Sequence, residues 1–261
     1  MLEKQRHQAI LDILTNRQFA SVQVLSAELD SSEATIRRDI QKLSIAGALR
    51  KIRGGAEVVV GDGETRKPRQ LAGSAFATDK EKHAAKKRLI AEKAVSICDD
   101  NDSIIINGGT STFMMGEFLC KRSMNILTNS FPLAHFLSEN GDNQVTVPGG
   151  EIYRKQGIVL SAFENDTIQG YHGTKMFMGT PGITRKGVSE SDPLLIRAEQ
   201  KLRKQADQLI VLADSSKLGR QEKFIFCPLD DVDVLVTDYE ADPDFVAELE
   251  AMGIKVLIAG L

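Results

Sequence analysis

Cysteine is scarce in this 261-residue chain, and the three present, Cys98, Cys120 and Cys227, lie far apart. With no CxxC pair and no Cys/His cluster, neither a disulfide framework nor a zinc site is expected. Such cysteine usage reads as a reducing cytoplasm. No run of about eighteen apolar residues occurs, which excludes an ordinary transmembrane helix, so no membrane partner is expected. The opening MLEKQRHQAILDIL carries charge among its apolar positions and no small-residue cleavage site, so it does not read as a secretory signal. The four histidines, His7, His83, His135 and His172, are dispersed; they form neither a metal set nor a Ser/His/Asp arrangement. No cofactor motif and no internal repeat is found. Positive charge is not in excess either. The net charge of −3, taken alone, argues against a nucleic-acid partner.

What is present is an uneven distribution of ordinary material. Hydrophobic content is 42% and charged content 26%, as in a folded soluble protein of one large or two modest domains. Residues 1–60 hold nine Lys/Arg against seven Asp/Glu, and within 31–53 the count is six against two. The remainder is acidic. A basic patch on an acidic chain suits a small DNA-reading module attached to something else.

That patch contains SSEATIRRDIQKL, residues 31–43. Ser32 is placed to cap a helix and Glu33 to sit in its first turn. Gly47 is placed to end it near Ala46. At about 100° per residue, Ile36, Ile40 and Leu43 share a narrow buried face. Thr35, Arg38, Gln41 and Lys42 lie opposite, with Arg37 at the margin. Asp39, at the border, is placed to pair with a neighbouring cation and orient the helix rather than face DNA. Upstream, residues 3–16 read as a helix, and Ser21 caps a second over VQVLSAEL. Downstream, ALRKIRGGAEVVV reads as a hairpin turning at Gly54-Gly55. Three helices and a hairpin make a winged helix-turn-helix, whose third helix lies in the major groove. Ser32, Thr35, Arg37, Arg38, Gln41 and Lys42, with Arg50, Lys51 and Arg53 in the wing, are the expected DNA contacts.

The pattern Ser32, Thr35-Ile36-Arg37-Arg38-Asp39, then Gly54-Gly55-Ala56, closely resembles the DNA-binding signature of the DeoR family of bacterial transcriptional regulators.

From Gly61 to Thr78 the chain is rich in Gly, Pro and charge and reads as a linker. Residues 79–261 alternate helix-like and strand-like segments. Helices are expected over 80–97, 112–120, 131–139, 193–206 and 243–252. Strands are expected over 103–107, 125–129, 144–150, 175–179, 209–214, 233–238 and 254–260. Strands apolar throughout and separated by helices indicate an α/β domain with a buried parallel sheet. In such sheets ligands sit beyond the carboxyl ends of the strands. The loops there are polar: Asn107-Gly108-Gly109-Thr110-Ser111-Thr112, Thr128-Asn129, Gly149-Gly150 and Asp214 to Lys217. Glycines, hydroxyls and a lysine suit a phosphate or another anion, and Asp214 suits sugar hydroxyls.

The resemblance to the DeoR family extends over these loops. It implies an effector domain built like a sugar-phosphate isomerase and turned into a sensor. Two departures stand out: Asn107 where most members have aspartate, and Thr174 near where many have another. With YHGTKMFM, these point to the branch that includes the ascorbate-utilisation repressor, and to L-ascorbate 6-phosphate or a related sugar or polyol phosphate as effector.

The resulting expectation is a non-enzymatic, cytoplasmic transcriptional regulator of a sugar or polyol catabolic operon, acting as a repressor. Its partners would be operator DNA, a phosphorylated sugar and further copies of itself, as a dimer or tetramer. The alternative is a sugar-phosphate isomerase-like enzyme with an appended DNA-binding head. Isomerisation needs a carboxylate base, for which Asp214 and Glu190 are the evident candidates. The loop GTPGITRKG, 179–187, carries none.

Overall fold

The computed structural model describes residues 3–17, 19–45, 48–52, 54–58, 74–161 and 167–260. The chain divides into two compact units, Met1–Arg69 and Gln70–Leu261.

The first unit comprises α1 (Glu3–Arg17), β1 (Phe19–Ser21), α2 (Val22–Glu28), α3 (Glu33–Ile45), β2 (Leu49–Ile52) and β3 (Gly55–Val58). Ser21 caps α2 by accepting from Val24 N at 3.2 Å. Ile10, Leu14, Leu25, Ile36, Ile40 and Leu49 are sealed into one core, so the apolar stripe of each helix faces inward as the periodicity requires. The strand β1 escaped the sequence reading, because a three-residue Phe-Ala-Ser segment has no alternation to detect. It turns the expected hairpin into a three-stranded antiparallel sheet of order β1-β3-β2. The glycine pair serves two different needs. Gly54 has φ +87°, open to glycine at little cost. A Cβ on Gly55 would lie 2.3 Å from Ala20 O across the new strand pair. The expected Gly47 cap lies outside the described residues.

The second unit opens with α4 (Ser74–Glu81) and α5 (Ala84–Val95). Residues 74–78, read as linker, are therefore helical, and 61–73 lie outside the described residues. The single helix expected over 80–97 is two, because His83 sits at φ 55° in the left-handed region, which cannot propagate a right-handed helix. Next come β4 (Ser103–Ile106), α6 (Thr110–Met114) and α7 (Gly116–Leu119). The helix expected over 112–120 starts two residues earlier and tightens at Met115, whose N–H bonds to Thr112 O. Then follow β5 (Asn125–Thr128), α8 (Phe131–Asn140), β6 (Gln144–Thr146), β7 (Glu151–Tyr153), β8 (Ile158–Leu160), β9 (Gly173–Gly179), β10 (Gly182–Thr184) and β11 (Gly187–Glu190). The chain continues through α9 (Pro193–Arg203), β12 (Ala206–Leu212), β13 (Phe224–Cys227), β14 (Val234–Asp238), α10 (Pro243–Ala251) and β15 (Lys255–Ala259). Ser130, Asp192 and Asp242 cap α8, α9 and α10 with their side-chain oxygens, each ahead of a proline in the first turn.

Seven of these strands form a parallel sheet of order β15-β14-β12-β9-β4-β5-β6. Successive residues divide between its faces. Ile104 and Ile106 join one core with Ile90, Leu133, Phe177 and Ile210. Ile105 joins the other with Met176, Val211, Leu202 and Leu249. Helices cover both faces, so the strands are apolar at every position. The β7-β8 hairpin and the antiparallel sheet β10-β11-β13 lie outside this regular alternation. Their three- and four-residue strands, punctuated by glycine, gave no period; most of the loop expected over 179–187 belongs to β9, β10 and β11. Among the described residues no helix is long and apolar enough to cross a membrane.

Candidate functional site

In the first unit α3 presents a polar ridge. Ser32 caps it, accepting from Thr35 N at 3.2 Å and lying 2.9 Å from Thr35 Oγ1. Arg37, Arg38, Gln41 and Lys42 are exposed. Arg37 Nη2 is 3.0 Å from Glu33 Oε2, one turn back. Lys42 Nζ reaches Glu3 Oε1 of α1 at 2.7 Å. Lys51 Nζ donates to Gln41 Oε1 at 2.7 Å, tying the wing to the helix. Arg38 has no side-chain partner among the described residues. Arg50 lies in β2 with its side chain outside the described set, and Arg53 lies outside it altogether.

Asp39 turns the other way and is 2% exposed. Its partner is not Lys42, the cation one turn on. Arg6 Nε lies 2.6 Å from Asp39 Oδ2, Arg6 Nη2 3.2 Å from Oδ1, and His7 Nε2 3.0 Å from Oδ1. Burial works to raise this carboxyl, but the hydrogen bonds from Arg6 and His7 outweigh it and hold it below its ordinary value. Arg6 and His7 are thus structural partners of the recognition helix that the sequence reading missed. The apolar stripe of α1 carried no sign of them. Glu3, His7 and Asp39 offer ligand atoms within 4.8 Å of one another, but Lys42 and Arg6 already engage the two carboxylates.

In the second unit the polar loops follow β12, β4, β5 and β6, which lie along one run of the sheet with β9 between β12 and β4. After β4, Asn107 is fully buried. Its Oδ1 accepts from Gly179 N at 3.0 Å, and its Nδ2 donates to Glu199 Oε1 at 2.8 Å. It therefore joins the end of β4 to the end of β9 and to α9. Gly108 passes so close to β8 that a Cβ would lie 2.4 Å from Ile158 Cγ1. Thr112 is fully buried, and its hydroxyl donates to Asn107 O and Gly109 O. Ser111 is nearly buried, whereas Gly109 and Thr110 are half-buried.

After β5, Thr128 Oγ1 accepts from Ser130 N at 3.0 Å. Asn129 is 1% exposed, yet neither Oδ1 nor Nδ2 of its side chain has a partner. Gly149 and Gly150 follow β6 and are exposed; Gly150 backs onto Leu160 and Ser161. After β12, Asp214 is 1% exposed. Its Oδ1 accepts from Ser216 N and Oγ, while Oδ2 is unpartnered. Lys217 is half-buried in the turn that follows.

Glu199, Lys86 and Lys87 at this edge had no distinguishing sequence signal; they stand with Glu190, an expected site residue. Glu199, on α9, is buried with Oε2 unpartnered. Burial, the nearby charge of Glu190 and a weaker opposing bond from Asn107 leave its carboxyl well above the ordinary range. Glu190 is raised by burial despite accepting from Ser191 N and Oγ. Lys86 is paired with Asp238 at 3.3 Å and Glu240 at 2.8 Å, and donates to Ser215 Oγ. Lys87, beside it, is buried. At the opposite edge of the sheet a polar groove is lined by Asp100, Lys121, Arg122 and Asp142; there Arg122 is paired with Asp100 at 2.6 Å.

Chemically, the first unit offers an exposed cationic ridge of groove-fitting size. The second offers orphaned, buried hydrogen-bonding groups beside cations. Burying a polar atom without a partner is costly, and such exceptions ask for a ligand.

Residues 6–60 match the DeoR-like helix-turn-helix domain, and residues 82–239 match the DeoR C terminal sensor domain. The chain is 35% identical over 257 residues to the HTH-type transcriptional regulator UlaR of Escherichia coli (strain K12 / DH10B), spanning 98% of this chain and 99% of that one. The same identity and coverage hold for UlaR of Shigella dysenteriae serotype 1. Among solved structures, ribose 5-phosphate isomerase A from Methanocaldococcus jannaschii aligns with 51% of this chain and 53% of its own, at 15% identity and a TM-score of 0.38. The enzyme from Neisseria gonorrhoeae aligns with 51% and 52%, at 19% identity and a TM-score of 0.36. Likenesses that distant carry no functional argument.

Proposed function

The chain belongs to the DeoR family of transcriptional regulators, and from that premise we propose that it represses a sugar or polyol catabolic operon under control of a phosphorylated sugar. It is a regulator of the UlaR type, with a DNA-binding helix-turn-helix and a sensor domain. In this reading α3 enters the major groove, with Arg38 the freest side chain to meet a base edge and Lys51 in the wing. Paired operator half-sites call for paired heads, so the acting species is an oligomer.

The single observation that carries the sensor reading is Asn129. A buried amide with both polar atoms unpartnered sits on the strand edge that also carries Asp214 and Lys217. A sugar phosphate would supply hydroxyls to Asn129 and Asp214, and an anion to Lys217. L-Ascorbate 6-phosphate is the candidate, favoured by the resemblance to UlaR. The relatives bear the names of regulators, and we propose no turnover.

Effector binding must favour a conformation with weaker DNA affinity, since a ligand indifferent to the two states shifts nothing. Typical couplings of about 1–3 kcal/mol correspond to roughly 5–150-fold. Fluorescence anisotropy with DNA flanking the chain's own gene tests this. L-Ascorbate 6-phosphate is expected to weaken the complex within that range, and Lys217→Ala to bind DNA normally but ignore the effector. A Lys217→Ala protein released as readily as the wild type would refute the site.

A further inference from the structure

The small antiparallel sheet has one closed edge and one open edge. On the β10 side, Ile183 bridges to Leu218, and its carbonyl accepts from Gly219 N at 2.9 Å. On the other side β13 is terminal, and among the described residues no strand or loop bonds to its outer edge. Natural sheets blunt such edges with charge or proline inside the strand. β13 reads Phe-Ile-Phe-Cys and carries neither. Phe224 and Ile225 are each 40% exposed, although Phe226 and Cys227 are buried. Leu194, 52% exposed, follows shortly after Glu190, which pairs with Phe224 across the ladder. Neighbouring apolar residues exposed on a bare strand edge mark a surface that binds something.

Charge indicates what binds there. Lys223 immediately precedes the strand, and Asp230 lies shortly past its end. Both are exposed, and neither makes an ion pair among the described residues. Pro228, at the strand's end, is exposed as well. Consider two identical strands, antiparallel, with a two-fold axis between Phe226 and Cys227. Lys223 then falls beside Asp230 of the second copy, and Ile225 beside Pro228 of the second copy. One patch serves both copies, as a two-fold interface requires, and a cation meets an anion at each end. A parallel pairing in register would instead set Lys223 against Lys223, and like charges opposite one another repel.

We propose that β13 is the surface through which two copies of this chain associate, edge to edge and antiparallel, so that their small sheets join into one. This deepens the paired-head reading given above and rests on it for the second copy. It also brings assembly next to sensing. Glu190, opposite Phe224, is an expected site residue, so β11 belongs both to the effector edge and to the sheet that the second copy extends.

The test is sedimentation velocity of the full-length chain over a concentration series. Ile225→Lys is expected to raise the dissociation constant of self-association roughly tenfold or more. Lys223→Asp and Asp230→Lys, each alone, are expected to raise it roughly threefold or more, since each sets like charges together at both ends of the interface. The double variant Lys223→Asp/Asp230→Lys is expected to recover most of the loss. These two changes lie on exposed side chains, so the test stands even if Ile225→Lys folds poorly. Recovery requires the two charges to face each other across copies, which a different partner protein would not produce. Self-association unchanged in Ile225→Lys and in both single reversals overturns β13 as the interface and leaves the paired-head reading standing. Loss in the single reversals without recovery in the double overturns the antiparallel self-pairing. A wild type that stays monomeric at every concentration and on operator DNA overturns this inference together with the paired heads.

Discussion

Arg6 and Asp39, 33 positions apart, meet through Nε and Oδ2 at 2.6 Å. The guanidinium fork makes a second bond at 3.2 Å to the other carboxylate oxygen, a geometry that fixes direction as well as distance. The pair clamps α3 onto α1 and so decides which face of α3 is turned outward. It also removes from the DNA-facing ridge a carboxylate that would repel phosphate. His7 completes the clamp from the next position on α1.

Replacing Asp39 with alanine strands Arg6 and His7 and leaves the DNA-facing residues in place. The unfolding midpoint of the first unit is expected to fall by at least about 4 °C, the shift that roughly 1 kcal/mol produces in a domain of this size. The Asp39 carboxyl is held below its ordinary 3.8. Its contribution is therefore complete above that value and is lost as pH falls below it, through the lower folded value. Calorimetric melts between pH 6 and pH 3 should show the wild type losing stability more steeply than Asp39→Asn. Parallel curves would remove the clamp from this account.

Arg38→Ala is expected to cost about 1–3 kcal/mol of operator affinity if the guanidinium meets a base edge. Arg37→Ala should cost less selectivity, because Arg37 already shares an exposed pair with Glu33, and such pairs contribute little to stability. Gel-shift titrations against operator and scrambled DNA separate base reading from phosphate attraction. Operator affinity unchanged in Arg38→Ala would take that residue out of the interface.

Glu199 carries its proton in the folded state far above the ordinary value of 4.5, through burial and the charge of Glu190. A raised acid stabilises the fold in full below its unfolded value, and that contribution is lost as pH rises through the folded one. Each unit of displacement corresponds to about 1.4 kcal/mol. Glu199→Gln keeps an acceptor for Asn107 and has no proton to lose. Urea unfolding at pH 5 and pH 8 should show the wild type weakening with pH while Glu199→Gln holds its midpoint. Equal pH slopes would mean that Glu199 is ionised in the folded chain.

Asn107→Asp introduces the aspartate that the family resemblance implies at this place. Here it would set a second carboxylate against Glu199, where Nδ2 now donates at 2.8 Å, and two close carboxylates cannot both ionise cheaply. The single variant is expected to melt lower than the wild type at pH 8 and to recover on acidification. Combining it with Glu199→Gln should restore most of the loss. A variant as stable as the wild type at pH 8 would show that the pair has room to separate.

Much of this molecule could be read locally. The cap at Ser32, the stripe of Ile36, Ile40 and Leu43, and the glycine pair of the wing act through steps of four residues or fewer, so their order in the chain carries their meaning. The parallel sheet was equally open to reading, because strands covered on both faces are apolar at every position. Other features left no such trace. Three-residue β1 acquires its identity from Glu57, Ala56 and Gly55, with which it pairs. The break at His83 is a backbone state that composition does not announce. Asn107, met first as a ligand contact, spends its amide on Gly179 and Glu199. Glu199 and Lys87 read as ordinary positions of amphipathic helices until burial made them exceptional. Patterns of period two and 3.6 state which face a residue occupies; they do not state what lies opposite. That is decided when segments 33 or 92 positions apart pack into contact, because only then does burial remove the water that would otherwise have satisfied each charge.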